Sequence, residues 1–308
     1  MSRTAATAAR SRWLKLAWMI PAALLLLAAV VLAARWLRET PGAQDFLAAY
    51  PGHSALPDGA PVGIPAWVGW QHFLNSLLLL LIIRSGWMIR TRQRSIGSWT
   101  RNNKGLIRTK NQPKRMSLDL WFHLSLDVLW VLNGLVFYVL LFATGQWMRL
   151  VPTSWDIFPN AASTALQYAS LDWPTESGWV SYNALQLLSY FSIVFIAAPL
   201  AILTGLRMSP SWPAKAPRLN RAFPIQAARA LHFPVMIYFV LFIIVHVTLV
   251  LATGALRNLN HMYAASDGTG WTGFWFFAAS VVIMVAAWVA ARPIFLRPVA
   301  ALTGKVGR

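Results

Sequence analysis

Six stretches of the chain are long, apolar and almost free of charge: Trp13–Ala34, Trp67–Ile89, Leu118–Thr144, Val180–Leu206, Ala230–Thr253 and Thr272–Ala291. Each has about 20 residues or more, the length at which an α-helix crosses the hydrocarbon core of a bilayer. Their apolar positions run continuously instead of alternating, which favours helices over the strands of a barrel. Only those two architectures satisfy every backbone polar group in lipid. The pattern therefore predicts an all-α integral membrane protein with six spans. No internal repeat is evident, and no connection is large enough to fold as a soluble domain.

Composition agrees: 57% of the 308 residues are hydrophobic and 17 are tryptophan. Trp67, Trp70, Trp147, Trp179 and Trp271 fall at span edges, as an aromatic belt requires. The absence of cysteine excludes disulfides, iron–sulfur clusters, thiolate zinc sites and thioether-attached haem.

The net charge of +18 raises the question of nucleic acid, and the distribution of the charge answers it. Lys and Arg concentrate in four places. The N-terminal segment holds Arg3, Arg10, Arg12 and Lys15. The second-to-third connection holds Arg90, Arg92, Arg94, Arg101, Lys104, Arg108, Lys110, Lys114 and Arg115. The fourth-to-fifth connection holds Arg207, Lys215, Arg218, Arg221 and Arg229, and the C-terminal tail Arg292, Arg297, Lys305 and Arg308. The opposite side has Arg35, Arg38, Arg149 and Arg257, together with Glu39, Asp45, Asp58, Asp156, Asp172, Glu176 and Asp267. This asymmetry predicts a multi-pass protein of a bacterial cytoplasmic membrane with both termini in the cytoplasm. The basic loops read as solvated faces that attract anionic membrane lipid, not as a nucleic-acid site. The first span has the basic start and small residues of a signal peptide. Its apolar run is longer than a usual signal core, so a retained anchor is expected.

Four of the six histidines, His72, His123, His232 and His246, fall inside predicted spans, where ionisable residues are costly and mark function. The plain alternative for any one of them is a neutral imidazole hydrogen-bonded between helices. Topology sorts the four by depth. His123 and His232 lie near the inner face, and His72 and His246 near the outer. On the fifth span the two histidines are fourteen residues apart, roughly 1400° of helical rotation and so about 40° short of four turns. Both rings therefore share one face, separated by roughly 21 Å along a core about 30 Å thick. Zinc wants three or four protein ligands. A pair of imidazoles from facing helices suits a macrocycle needing two axial ligands, namely haem b. The expectation is two b haems, His72 with His246 on the outer iron and His123 with His232 on the inner iron.

Several neighbours offer support. Arg84 and Arg229 are candidate partners for an inner haem propionate, and Arg149 and Arg257 for an outer one; the alternative for each is an arginine reaching to the interface. Arg84 and Asp127 are also candidates for a buried pair, and Asp127, one turn after His123, for a proton relay. Asn75 and Asn133 are placed to bond across the bundle. Gly134 permits close approach. Met236 reads as packing, and His261 as an outer-surface residue.

The residues also resemble a known family. HFLNSLLLLLIIRSGWMI (His72–Ile89) resembles the first haem helix of the di-haem cytochrome b family. That family includes the membrane subunits of thiosulfate reductase, nickel–iron hydrogenase and formate dehydrogenase, and is akin to bacterial cytochrome b561. HLSLDVLWVLNGLVFYVLLFATGQWMRLVP (His123–Pro152) is similar to its second helix. YNALQLLSYFSIVFIAAPLAILTGLRMSP (Tyr182–Pro210), with Pro199 and Thr204-Gly205, is similar to its third. QAARALHFPVMIYFVLFIIVHVTLVLATG (Gln226–Gly254) is similar to its fourth. The likeness covers about Trp67 to Gly254, with the thiosulfate-reductase branch nearest. It implies a four-helix haem-binding bundle in which the first histidine pairs with the last and the second with the third. It also implies electron transfer between a quinone pool and a catalytic subunit, often a molybdenum oxidoreductase outside the membrane. The chain departs from the pattern by one extra transmembrane helix at each end of the bundle. The first of these makes the core enter from the outside. The expected organisation is an anchor over 1–40, the di-haem core over 67–255, and an outer loop, last helix and cytoplasmic tail over 256–308.

An electron-transfer subunit with no catalytic residue of its own is thus the reading expected. A stand-alone transmembrane quinone or ferric reductase is the alternative, weakened by the lack of a nucleotide-binding fingerprint. A transporter or anchor with proton-relaying histidines is the alternative from another class, weakened by the lack of a chain of acids.

Overall fold

The computed structural model describes residues 3–91, 96–104, 108, 112–173, 178–213 and 215–307, without the side chains of 3–16. Of the charges named above, Arg92, Arg94, Lys110, Glu176 and Arg308 lie outside it. The elements run α1 (Arg3–Arg38), α2 (Pro41–Ala49), α3 (Ala66–Thr91), β1 (Ser98–Arg101), β2 (Met116–Ser117), α4 (Leu118–Ala143) and α5 (Ile157–Ala169). They continue with α6 (Ala184–Phe191), α7 (Ala198–Met208), α8 (Pro217–Ala222), α9 (Ile225–Ala252), α10 (Ala255–Tyr263), α11 (Thr272–Ala290), α12 (Pro293–Ala301) and β3 (Gly304–Gly307). Six helical stretches are long and apolar enough to cross a membrane: Ala17–Arg38, Ala66–Thr91, Leu118–Ala143, Ala184–Met208, Ile225–Ala252 and Thr272–Ala290. The expected six spans are therefore present, with ends shifted by a few residues. The chain is an all-α membrane protein whose apolar side chains face outward, as with Trp18 at 77%, Leu25 at 72% and Val282 at 68% exposure.

Two helix starts carry side-chain caps. Ser117 accepts from the Leu120 N–H at the head of α4. Asn183 and Gln186 form a reciprocal capping box at the head of α6. The fourth span is two α-helical pieces, α6 and α7, joined by a π-helical turn over Ser192–Ala197. The turn has an identifiable cause. Ala198 N–H reaches back five residues to the Ile193 carbonyl. In that register Val194 would be paired by residue 199, which is a proline with no N–H. The Tyr138 hydroxyl on α4 donates to the Val194 carbonyl instead. The span absorbs its proline by widening, and a neighbouring helix fills the vacated bond.

The bundle has two ends. At the basic end, β1 pairs antiparallel with β2 (Ser98↔Ser117) and with β3 (Ser98↔Gly307 through Arg101↔Gly304). Trp99 is buried there, and its indole donates to the Ala300 carbonyl at 3.0 Å. The sequence reading anticipated no strands; these are too short and too polar to leave a period-two pattern. At the opposite, loop end, the connections carry short helices where loops were expected, including α5 and α10. The first span joins the rest through its last turn. Arg35 and Arg38 reach Ser170, and Arg38 pairs with Asp172 at 2.8 Å.

Two glycines set close crossings. A Cβ on Gly69 would stand 2.5 Å from the Met262 carbonyl oxygen, and one on Gly273 2.4 Å from Leu259 backbone. These crossings seat α10 against α3 and α11, and α10 in turn brings Tyr263 to the site described next. Gly69→Ala and Gly273→Ala should each cost about 1–3 kcal/mol by overpacking. Gly134→Ala, with nothing within 4 Å of its Cβ, should not. Thermal unfolding of the purified chain in detergent measures all three, and equal midpoints for the three would show that the crossings do not matter.

Candidate functional site

The four intramembrane histidines gather at two levels. Toward the loop end, His72 on α3 and His246 on α9 have ring centroids 6.2 Å apart, with planes at 53°. Phe242, one turn before His246, stacks on its ring at 5.4 Å and 5°. Tyr190 meets the same ring edge-on at 5.9 Å. Tyr263 of α10 stands edge-on to His72 at 5.7 Å, with its hydroxyl 3.5 Å from His72 Nδ1. These aromatic contacts fix both ring planes.

Toward the basic end, His123 on α4 and His232 on α9 lie within electrostatic reach of each other. Ser85 Oγ is 2.8 Å from His123 Nδ1, and Thr204 Oγ1 is 2.8 Å from His232 Nδ1. Asp127 places Oδ2 3.7 Å from His123 Nε2 and also lies near His232. The carboxylate expected either to meet Arg84 or to follow its histidine is thus found beside both rings of the basic end.

The donor set tests what could be held here. Two imidazoles bonded to one metal at about 2 Å each keep ring centres roughly 6 Å apart. The His72–His246 separation of 6.2 Å fits such a bridge. Among the described residues, no group of three or more His, Cys, Asp and Glu is placed to hold a metal ion. A tetrahedral protein site is therefore not assembled among them, whereas a macrocycle taking only two axial ligands fits. Trp67 Nε1 and Gln71 Oε1, on the turns before His72, are buried without a hydrogen-bond partner among the described residues. Buried polar atoms left open in this way are what a bound group or water satisfies.

The arginines separate. Arg149 is fully buried, at 1% exposure. Its terminal nitrogens donate to the carbonyls of Gly63 and Gly178, its guanidinium lies over Tyr182 at 5.1 Å, and its Nε has no partner among the described residues. Burial raises the Tyr182 phenol above its ordinary value, partly offset by that guanidinium. Arg84 donates to the Ala291 carbonyl and covers Trp288 at 5.0 Å. It also lines an apolar cavity of about 390 Å³ with Trp87, Met236 and Val240. Arg229 is exposed at the start of α9. Arg257 pairs with Asp267 at 3.1 Å on the surface of the loop end. Asn75 does bond between helices, accepting from the Trp130 indole at 3.1 Å, whereas the Asn133 amide nitrogen is buried without a partner among the described residues.

His261 corrects the sequence reading. It is not an outer-surface residue but is 3% exposed on α10, under Trp179 at 5.5 Å, with Nε2 2.7 Å from Asp267 Oδ1. The polar surroundings of RNLNHMYAA concealed a short helix whose histidine faces inward. Ser85, Tyr190, Phe242 and Tyr263 were also missed as neighbours of the histidines. Tyr263 and Phe242 carry no motif. Ser85-Gly86 could have been found by its likeness to Thr204-Gly205, since both pairs fall at the basic end of a span.

Paired imidazoles on a bundle of apolar helices are the pattern of a membrane cytochrome b. The chain belongs to the prokaryotic cytochrome b561 family, whose match covers residues 63–265. Members are haem-b-binding electron-transfer proteins of the membrane. The match reaches past Gly254 to take in α10 and Tyr263, and it leaves α1 and α11 outside. No curated protein and no solved structure matches the chain.

The loop-end cluster yields a pH test. The hydrogen bond to His261, and then the bond and charge of Arg257, hold the Asp267 carboxyl below its ordinary 3.8. A depressed carboxyl contributes stability above its unfolded-state pKa and loses it as pH falls through the folded value. The wild type should melt higher than Asp267→Asn at neutral pH, and the gap should close only below about pH 4. Melting curves across that range check it; a gap that is absent at neutral pH, or that closes already near pH 6, would contradict the assignment.

Proposed function

We propose that this chain carries electrons through two bis-histidine b haems, one held by His72 and His246 at the outer level and one by His123 and His232 at the inner level. The observation that carries the reading is the meeting of histidines from separate helices at two depths, with His232 and His246 both on α9 and one pair at 6.2 Å. A b haem with both axial positions filled by imidazole takes up and passes on single electrons and offers no open coordination site. The protein's part is to orient the rings. Phe242 and Tyr190 hold His246, Tyr263 holds His72, and hydroxyls of α3 and α7 hold the inner pair.

In this reading residues 1–40 anchor the chain and residues 67–255 form the haem core, to which α10 adds Tyr263. Residues 256–308 complete the outer loop, the last span and a cytoplasmic tail. The membrane in this reading is the bacterial cytoplasmic one, with the basic end inside, a placement that the charge asymmetry supports. One electron partner is lipid-soluble quinone, for which the apolar cavity beside Arg84 and Met236 is of suitable size and character. The other is a redox subunit on the outer side, by resemblance a molybdenum oxidoreductase. Arg149 and Arg257 are the propionate partners proposed for the outer level, and Arg84 and Arg229 for the inner.

Dithionite-reduced minus oxidised spectra of the purified chain should show b-type bands equivalent to about two haems per chain. His72→Ala should abolish one component and His232→Ala the other. A colourless protein would sink the reading, and loss of the same component in His72→Ala and His123→Ala would sink the pairing.

A further inference from the structure

Two dipeptides stand in the same relation to two different histidines. Ser85-Gly86 on α3 faces His123, and Thr204-Gly205 on α7 faces His232. Each hydroxyl oxygen is 2.8 Å from the ring Nδ1. Each hydroxyl proton is already committed to its own helix. Ser85 Oγ donates to the Ile82 carbonyl at 2.9 Å, and Thr204 Oγ1 to those of Leu200 at 2.7 Å and Ala201 at 3.1 Å. A hydroxyl has one proton to give. With its proton given to the helix, the hydroxyl is assigned as the acceptor toward the ring, and Nδ1 then carries the hydrogen. A neutral imidazole protonated on Nδ1 presents its lone pair on Nε2. Both hydroxyls are fully buried, at 1% and 0% exposure.

The glycines complete the likeness. A Cβ on Gly86 would come 3.3 Å from His123 Cε1, and one on Gly205 3.5 Å from His232 Cε1. Each imidazole thus lies against bare backbone on one side and is bonded to the preceding hydroxyl. The helix pair α3–α4 supplies one such ring and cradle, and the pair α7–α9 the other. At the outer level the arrangement is looser. Tyr263 is in hydrogen-bonding contact with Ser280, and the phenol oxygen stands 3.5 Å from His72 Nδ1.

We propose that Ser85 and Thr204 are paired positioning residues that set the reduction potential of the inner haem, an inference that rests on the ligand roles given above to His123 and His232. An acceptor at Nδ1 makes the imidazole a stronger donor at Nε2 and so favours the oxidised metal. A hydroxyl whose proton points elsewhere is a fixed acceptor of moderate strength. It locks ring rotation and tautomer without drawing the hydrogen as strongly as a carboxylate would. Removing it withdraws that acceptor from Nδ1–H, leaving the Ile82 carbonyl as the remaining partner at His123, and by weakening the ring as a donor moves the inner potential in the positive direction.

The test uses the full chain purified from membranes. Haem content and potentiometric titration of the reduced b band are compared for the wild type, Ser85→Ala, Thr204→Val, Ser85→Thr and Thr204→Ser. Ser85→Ala and Thr204→Val are expected to move the midpoint of one and the same haem component positive and to leave the other in place. Ser85→Thr and Thr204→Ser, which keep a hydroxyl, are expected to retain both midpoints. Selective loss of that one component in the hydroxyl-free variants, with retention in the hydroxyl-bearing pair, supports the proposal equally. Unchanged midpoints without the hydroxyls, movement of different components by the two residues, or equal damage from the Ser/Thr exchanges overturns it. The ligand assignment fails separately, if the wild type binds no haem or if His123→Ala and His232→Ala remove different components.

Discussion

Inside a bilayer a polar group must bring its partner with it, because no water is there to supply one and an unmatched group costs several kcal/mol. The spans are helices for this reason, and the details follow from it as well. Pro199 takes one N–H out of the fourth span, and Tyr138 arrives from α4 to bond the carbonyl left over. The Trp130 indole finds Asn75. Ser85 and Thr204 bond backwards to their own helices and forwards to an imidazole, so each hydroxyl serves two groups. Arg149, the most deeply buried cation of the loop end, is held by two backbone carbonyls and a ring face, with no carboxylate needed.

The same constraint gives α9 its character. Beyond Arg229 its polar side chains are two imidazoles, the Tyr238 hydroxyl and Thr248, and both imidazoles stand where another helix meets them. His232 meets α7 through Thr204, and His246 meets α3 through His72. Because α9 contributes to both levels, rotation of this one rod would disturb both pairs together. Phe242, stacked on His246, and Phe239, buried among α7 and its neighbours, resist that rotation. The short helix α10 then closes over the outer level, pressed into place by the bare backbones of Gly69 and Gly273.

Much of this was legible in the residues, and the reason is periodicity and cost. The six spans announce themselves because twenty apolar residues in succession have few other uses. The four histidines stand out because ionisable groups are rare in such runs, and the fourteen-residue spacing in α9 tells that two of them share a face. What stayed hidden depended on contacts between distant segments. Nothing local marks His261 as buried: its neighbours are polar, and only the approach of Trp179 and the 264–271 turn encloses it. Nothing local marks Ser85 as the partner of His123, since a serine in a membrane helix usually bonds its own backbone, as this one also does. The strands of the basic end are brief and polar, and their existence depends on a segment some two hundred residues away.

That separation has a consequence for assembly. Ser98–Arg101 leaves the ribosome between the second and third spans, but its outer partner, Gly304–Gly307, follows only after the sixth. Through all of that synthesis the loop has β2 alone beside it, and the Trp99 indole lacks the Ala300 carbonyl. The basic end is therefore a seam sewn last. It can close only after the four spans between β1 and β3 have been made, because β3 must return to the same end of the bundle as β1.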